Sequence, residues 1–438
     1  MADSVSAGKR PSGAPAIAAQ DQPKKHFLLR LGPGLITGVA DDDPSGIATY
    51  SQAGAQFGLN MLWTMPLAFP LMAAVQVMCA DIGRVTGKGI AANIKAAFPP
   101  VVLYAVVLML VVANTLNISA DVAAMGEVTQ LVTGIDRHVM TAFFVLVSVG
   151  LQLFVPYHRY VSILKWLCLS LLAYAAVLFA VHVPWKEVAL RTVWPHITPG
   201  ADAAAVVVGI FGTTISPYLF FWQASEEVED MGIQDNSQPL AKSTRQAARR
   251  ELRRIEWDTW SGMFYSDITA YFIILATGVT LHVAGVTDID TAAQAAGALR
   301  PLAGEFAYVL FALGIIGVGL IGVPVLAGAS GYAVAETMGW RFGLERRVVD
   351  APGFYAVIAA GVLAGLVLQY SPISPMRALF WSAIINGIVA VPLMAVIILL
   401  VSRKSVMGEF TASRPIIVLG CTATAVMGAA ALRMFFPG

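Results

Sequence analysis

Three consecutive carboxylates in an apolar segment are the feature of this sequence best suited to do chemistry. They are Asp41, Asp42 and Asp43 in "GVADDDPSGIATYSQAG", residues 38–54, within a stretch from 31 to 58 that otherwise has the composition of a membrane-spanning helix. An Asp that faced lipid at the centre of a bilayer would cost about 2.5–3.5 kcal/mol. The carboxylates therefore indicate a polar cavity. A bound cation is the simplest partner, because no Lys or Arg lies in the middle of any apolar segment.

The residues that follow the aspartates are expected to interrupt the helix. Counted from Gly32 at about 1.5 Å per residue, Asp43 lies roughly 16 Å into a hydrocarbon core about 30 Å thick. Pro44 cannot donate to the helical ladder and disfavours helical geometry at Asp43, and Gly46 tolerates a non-helical backbone. The segment is therefore predicted to form two half-helices with an unwound centre.

The whole chain has the composition of an integral membrane protein. Of its 438 residues, 57% are hydrophobic and 13% charged, and the mean hydropathy is +0.72, whereas a soluble domain carries about 25% charge. Helices are expected, because a lipid environment leaves an open sheet unsatisfied. Apolar runs predict about eleven spans in an all-α fold, near 32–58, 61–82, 101–127, 139–157, 161–183, 203–223, 262–284, 302–336, 353–370, 378–401 and 414–436.

A second interrupted helix predicts an internal repeat. Ser216-Pro217 in "GTTISPYLFFWQ", residues 212–223, falls near the middle of the sixth span, which opens the second set of five. Paired Pro- or Gly-interrupted helices at corresponding positions indicate an inverted-repeat transporter with its site at the midplane. The repeats are predicted at 27–183 and 203–401, with broken helices 1 and 6, a cytoplasmic loop at 224–261 and a last span at 414–436.

The distribution of charge predicts the orientation. Most of the 28 Lys and Arg residues fall in alternate connections on the side of the N-terminus, so the positive-inside rule places the N-terminus in the cytoplasm and the C-terminus outside the cytoplasmic (inner) membrane. Residues 1–26 are polar and rich in Ala and Pro, and are predicted to form a disordered cytoplasmic tail. No function is assigned to the tail.

Other motifs argue against an enzyme, a cofactor and a nucleic-acid partner. No nucleophile and base are paired, and the six His residues are scattered. Cys79, Cys168 and Cys421 lack the CxxC spacing of a zinc site. The basic run "KSTRQAARRELRR", residues 242–254, is expected to meet anionic lipid headgroups rather than nucleic acid. No obligate protein partner is evident, and the bilayer itself is the expected surrounding.

The run "GPGLITGVADDDPSGIATYSQAGAQFG", residues 32–58, resembles the first membrane helix of the Nramp family of divalent metal transporters. The segment 212–223 resembles the sixth helix of that family, and the similarity extends through "DIGRVTGKGIA" and the glycine-rich span 314–338, covering about 28–436. The resemblance implies the leucine-transporter-like fold, with eleven or twelve helices.

The resemblance also implies a metal site, from which this sequence departs. Typical members use the Asp and Asn of Asp-Pro-Gly-Asn, a Met before Pro-His and a backbone carbonyl three residues before the Met. The corresponding residues here are Asp43, Gly46, Ser216 and Thr213. The amide and the sulfur are lost, and an oxygen-only site suits hard cations such as Mg²⁺ and Mn²⁺. The pattern is similar to the prokaryotic Nramp-related magnesium transporters.

The groups that would relay protons in typical members are largely replaced. Tyr218 stands for the His of the sixth helix, Asp121 matches the Asp of the third, Ala124 replaces its Glu, and the ninth span has no basic residue. The replacements predict weak or absent proton coupling. Asp121 either lines a wet path with residues such as Asn117 or makes a structural contact with Asp267 or the backbone.

Two further sets of polar residues complete the candidate ion pathway. Asn386 in the tenth span either brings an amide to the site or makes a helix-packing hydrogen bond. Asp41 and Asp42 cannot point in the direction of Asp43, because successive helical residues are about 100° apart. They are expected to line the approach to the site or to share a proton.

Three hypotheses on function remain open. The first is uptake of Mg²⁺ or Mn²⁺ as substrate, with weak or no proton coupling. The second is a proton-coupled symporter of Mn²⁺ or Fe²⁺. The third is a sodium-coupled carrier of amino acids or other organic solutes on the same fold, against which the three carboxylates argue, because they would repel an anionic substrate.

Overall fold

The regular secondary structure of the described chain is helical throughout. The computed structural model describes residues 33–155, 164, 166–167, 169–196, 200–233, 238–344, 346–368, 370 and 372–436. The predicted tail, 1–26, lies outside these residues. So does part of the predicted fifth span.

The described α-helices are, in chain order, α1 (Pro33–Asp41), α2 (Pro44–Phe57), α3 (Thr64–Thr86), α4 (Ile90–Ala97), α5 (Pro100–Thr133), α6 (Arg137–Phe154), α7 (Leu172–Val177), α8 (Trp185–Val193), α9 (Ala201–Thr214), α10 (Pro217–Ile233), α11 (Arg245–Thr277), α12 (Ala292–Ala296), α13 (Arg300–Ala303), α14 (Ala307–Met338), α15 (Pro352–Leu368), α16 (Pro375–Ser402), α17 (Lys404–Met407) and α18 (Arg414–Phe435). Short 3₁₀ turns join several of them, and a π-helical turn, Gly278–His282, continues α11.

Eight of the described helical stretches are long and apolar enough to cross a membrane. They are Thr64–Thr86, Pro100–Thr133, Arg137–Phe154, Ala201–Met231, Arg245–His282, Ala292–Met338, Pro375–Ser402 and Arg414–Phe435. Each corresponds to a predicted span. The predicted first span is divided between α1 and α2, and the predicted ninth is the shorter apolar helix Pro352–Leu366. The total of about eleven spans stays a prediction.

Glycines allow the interrupted helices to pack directly on their neighbours. A Cβ atom on Gly38 of α1 would lie 2.2 Å from the carbonyl oxygen of Gly262 in α11. A Cβ on Gly212 of α9 would lie 2.1 Å from the carbonyl oxygen of Ala383 in α16. Small residues at such positions let two backbones approach closely, as they do in membrane helix pairs. These contacts fix the half-helices that carry the polar centre.

Candidate metal site

The first predicted break lies at Asp42 and Asp43. Helix α1 ends at Asp41 and α2 begins at Pro44, and Asp43 has an extended backbone with φ −74° and ψ 171°. Pro44 occupies the first turn of α2, where the missing N–H removes no helical hydrogen bond. The prediction of a helix interrupted at the aspartates is confirmed, and the unwound part is only two residues long.

Four donors hold the carboxylate of Asp43. Its Oδ1 accepts hydrogen bonds from the Gly46 backbone N–H (2.9 Å) and the Ser45 hydroxyl (2.6 Å). Its Oδ2 accepts from the Asn117 amide (2.9 Å) and the Tyr218 hydroxyl (3.3 Å). The first pair is a helix N-cap, which local sequence produces. The second pair joins α5 and α10 to the break, so the buried carboxylate is held from both sides.

The second predicted break lies at Ile215 and Ser216. Helix α9 ends at Thr214 and α10 begins at Pro217. The Ser216 hydroxyl lies 2.7 Å from the carbonyl oxygen of Thr213 and 3.0 Å from that of Gly212, and it donates toward both. The hydroxyl therefore satisfies carbonyls at the end of α9, while its own oxygen keeps lone pairs for a ligand.

The two breaks meet at Gly46. A Cβ atom on Gly46 would lie 3.0 Å from Oγ1 of Thr213 and 3.7 Å from Oδ1 of Asp43. Thr213 Oγ1 is buried and has no hydrogen-bond partner in the described part of the chain. Three of the residues predicted to hold the metal thus lie together, and Ser216 contacts the carbonyl of Thr213. The group offers oxygen atoms only.

The oxygen group contains one carboxylate, that of Asp43. Among the described residues, no three His, Cys, Asp or Glu side chains form a group that could hold a metal ion. A cation in this site would therefore bind one carboxylate, neutral oxygens and water. Mg²⁺ suits such a site, because it sheds its hydration shell reluctantly and usually keeps several waters.

Tyr218 lies at the site, as its position after Pro217 predicts. Its side chain is fully buried, and its hydroxyl lies 3.3 Å from both Oδ2 of Asp43 and the carbonyl oxygen of Ala40. The Tyr218 hydroxyl has one proton, which it shares between these two long contacts. Tyr218 is therefore the most weakly bound of the four donors around Asp43.

Asp121 and Asn386 are buried and unpaired. Both carboxylate oxygens of Asp121 and both polar side-chain atoms of Asn386 lack hydrogen-bond partners among the described residues. The predicted alternatives, a contact of Asp121 with Asp267 and a helix-packing bond of Asn386, are therefore not seen there. Asp121 lies close enough to Asp43 for the two charges to interact. Their place on an ion pathway stays a prediction.

Asn117 and Ser382 contribute to the site more directly than the sequence indicated. Asn117 donates to Asp43, and its own Oδ1 accepts from the Ser382 hydroxyl at 2.6 Å. Asn117 precedes Asp121 by one helical turn, so both face the same side of α5. That spacing is a signal in the sequence, whereas nothing near Ser382 marks it as polar support for the site.

Asp41 and Asp42 contact α11 rather than the Asp43 group. The hydroxyl of Ser266 lies 2.5 Å from Oδ2 of Asp41 and 3.1 Å from Oδ1 of Asp42. Both aspartates are buried. The expectation that they point away from the direction of Asp43 agrees with this geometry, and their role on the approach stays a prediction.

A cavity of about 460 Å³ opens beside α2. It is lined by Ala48 and Gln52 of α2, Asp202 of α9 and Arg377 of α16. Arg377 is itself paired with Asp288 at 3.3 Å. Ala48 lies about one helical turn beyond Pro44, whereas Asp43 is only 1% exposed. The cavity thus approaches the site, and the site itself is closed.

Known proteins resemble this chain in sequence and in fold. A divalent metal cation transporter, MntH, of Acidiphilium cryptum (strain JF-5) is 28% identical over 437 residues, covering 92% of this chain and 88% of the relative. A manganese transporter of Eremococcus coleocola, solved with an aromatic bis-isothiourea compound, superposes with a TM-score of 0.72 at 15% identity, covering 94% of this chain and 88% of the other. MhsT with L-phenylalanine gives a TM-score of 0.62 at 14% identity, covering 93% and 98%.

These likenesses confirm the predicted leucine-transporter-like fold and the prediction that the protein is a membrane transporter rather than an enzyme. Residues 34–437, nearly the whole chain, match the family described as natural resistance-associated macrophage protein-like. The chain belongs to the Nramp family.

Proposed function

We propose that this protein carries divalent metal cations across the membrane and binds them at Asp43, Gly46, Thr213 and Ser216. The meeting of the two helix breaks is the observation that carries the proposal. A buried carboxylate and a hydroxyl with no partner in the described chain meet at Gly46, and the Ser216 hydroxyl contacts the Thr213 carbonyl beside them. Relatives that are named divalent metal cation transporters support a divalent cation as the substrate.

The preferred cargo is Mg²⁺ or Mn²⁺. Soft thiolate and thioether ligands favour thiophilic metals, whereas carboxylate, carbonyl and water favour Mg²⁺, Ca²⁺ and Mn²⁺. The group around Gly46 offers oxygen ligands only, so it favours Mg²⁺, Ca²⁺ and Mn²⁺. Because Gly46 and Ser216 supply neither an amide nor a sulfur ligand, an ion that keeps some of its water suits the site better than one that needs a full set of protein ligands.

Uptake is driven by the membrane potential with weak or no proton coupling. Tyr218 stands where a proton-accepting His would be, and the described helix α15 carries no basic residue. A membrane potential that is negative inside draws cations into the cell. Each positive charge that moves inward through 100 mV gains about 2.3 kcal/mol. The N-terminus lies in the cytoplasm and the C-terminus outside the inner membrane, as the positive-inside distribution requires.

The substitution Asp43→Asn tests the site. An amide of the same shape preserves the volume but removes the negative charge and one acceptor, so uptake of Mg²⁺ and Mn²⁺ into proteoliposomes should fall to the background of empty liposomes. The matched control is Asp350→Asn, which removes an exposed carboxylate far along the chain and should leave uptake unchanged. Full uptake by the Asp43→Asn protein would refute the assignment of the site.

A further inference from the structure

A second group of carboxylates lies immediately before Asp43. The Ser266 hydroxyl has one proton, yet its oxygen lies 2.5 Å from Asp41 Oδ2 and 3.1 Å from Asp42 Oδ1. One O–H cannot donate fully to two carboxylates. The two side chains therefore converge on a single donor, which cannot satisfy both of them fully.

The remaining oxygens of the two carboxylates are also unsatisfied. Asp41 Oδ1 and Asp42 Oδ2 are buried and have no partner among the described residues, and their side chains are 0% and 2% exposed. The hydroxyl of Tyr50 is likewise buried without a partner in the described chain. A buried charge without a partner is strongly unfavourable, so a missing partner is expected here.

The missing partner is positive. The charges that act most strongly on Asp41 and Asp42 are the two carboxylates themselves, Asp43 and Asp267, and all of these are acidic. Tyr50 lies within electrostatic reach of the same four carboxylates. The group also lies at the C-terminal end of α1, where the last helical carbonyls lack intrahelical donors and carry partial negative charge. All of these groups would attract a cation placed between them.

We infer that Asp41, Asp42 and Ser266 form a second binding station for a hydrated divalent cation, next to the Asp43 site. This inference rests on the proposed function, and it gives the three successive aspartates two separate tasks. The two carboxylates carry the charge that a divalent ion would neutralise, and their oxygens are hard ligands. Because no three acidic side chains are arranged as a ready set of metal ligands in the described residues, the ion keeps much of its water.

Two stations so close together would act on each other. An ion at Asp41 and Asp42 repels an ion at Asp43, since like charges in a buried site interact more strongly than in water. Repulsion between adjacent ions lowers the affinity of each and favours release, as in multi-ion pores. An ion at the second station would therefore speed the release of an ion from Asp43.

Counting bound Mn²⁺ on the purified full-length protein tests the inference. Equilibrium dialysis followed by elemental analysis should find two Mn²⁺ per chain in the wild type and in the Asp350→Asn control. The pair Asp41→Asn with Asp42→Asn should bind one, Asp43→Asn should bind one, and the triple variant none. Electron paramagnetic resonance of Mn²⁺ should show coupling between two ions in the wild type and in the Asp350→Asn control, and in none of the other variants.

The outcomes separate this inference from the proposed function. A wild type that binds one ion, lost in Asp43→Asn but kept by the Asp41 and Asp42 pair variant, would overturn the second station and leave the Asp43 site intact. One ion lost only in the pair variant would overturn the Asp43 site. If the pair variant aggregates, Asp42→Asn alone should lower the affinity for the second Mn²⁺ by about tenfold or more, because the charge of the ligands sets the affinity. An unchanged second affinity would count against the station.

Discussion

At the scale of single residues, the proposed function gives Asp43 two tasks that compete. Its carboxylate caps α2 and accepts from Asn117 and Tyr218, so a cation must replace or share some of these donors. Hydrogen bonds to a charged group contribute about 1.5–3 kcal/mol each. The hydrogen-bond donors around Asp43 therefore hold its carboxylate in place without a metal. A cation that binds there would replace some of these donors.

Tyr218→Phe should preserve transport. The lost hydroxyl makes the longest contact with Asp43, at 3.3 Å, and shares its proton with the Ala40 carbonyl. Removing it frees one lone pair of Asp43 for the ion, so the affinity for Mn²⁺ should stay equal or rise by up to about tenfold, which corresponds to 1.4 kcal/mol. Calorimetric titration measures this. A loss as complete as that of Asp43→Asn would make the hydroxyl a required ligand.

The double change Gly46→Asn with Ser216→Met should shift selectivity toward soft metals. It adds an amide oxygen and a thioether, which favour Mn²⁺ and Cd²⁺ over Mg²⁺. The shift should be partial and activity lower, because a Cβ on Gly46 already meets Tyr50 at 3.2 Å and Thr213 at 3.0 Å. Competitive uptake of Mg²⁺ against Mn²⁺ and Cd²⁺ in liposomes decides it, with Gly46→Ala as the control for crowding. A wild type that already excludes Mg²⁺ would contradict the hard-ion interpretation.

At the scale of elements, the breaks were predictable and their supports were not. Asp-Pro and Ser-Pro act on the backbone within a few residues, so the ends of α1 and α9 follow from local chemistry. Asn117 contacts Asp43 across 74 residues of sequence, and Ser266 contacts Asp41 across 225. Such contacts depend on how whole helices pack, which periodicity in highly apolar segments does not specify. The candidate ligands could therefore be named from the sequence, but not the groups that orient them.

A partly buried ion-pair network joins the ends of α3, α10 and α11. Arg84 of α3 lies 2.8 Å from Glu251 of α11 and 3.6 Å from Asp230 of α10, and its side chain is 5% exposed. The backbone N–H of Gly34 also donates to Asp258 at 2.9 Å, which ties α1 to α11. These contacts hold the half-helices α1 and α10 against α3 and α11 on one side of the site.

Arg84→Gln should loosen that side of the protein. Removing one partner of a fully buried ion pair costs about 3–5 kcal/mol, and exposed pairs contribute about 0–1 kcal/mol. The Arg84 pairs lie between these limits, because Arg84 is buried and its acidic partners are partly exposed. Hydrogen–deuterium exchange of peptides from α10 and from the start of α11 should therefore rise in Arg84→Gln. The matched control is Arg254→Gln, because Arg254 also pairs with Glu251 but is 41% exposed. Equal exchange in the two variants would show that Arg84 does not hold these helices.

At the scale of the whole molecule, the candidate site is closed, and a cavity approaches it from one side. The cavity of about 460 Å³ approaches α2 from the side of Gln52 and Arg377, while α10 is held by the Arg84 network and α1 by the Gly34–Asp258 hydrogen bond. In an inverted-repeat transporter, one repeat rocks against the other around a fixed site. The described arrangement corresponds to a closed site that a cavity approaches beside α2.

Proton coupling is a property of the whole molecule, because it needs an unbroken relay from the site to water. Asp121 is buried near Asp43, but α15 supplies no basic residue to continue a relay, and Ala124 has no titratable group. Metal uptake should therefore leave the internal pH of proteoliposomes unchanged, as reported by a trapped pH dye. It should instead increase with a negative-inside potential set by a potassium gradient with valinomycin. If the interior acidifies in proportion to metal uptake, Asp121→Asn should abolish the acidification while Asp350→Asn leaves it intact, which would assign the relay to Asp121 and refute the uncoupled mechanism.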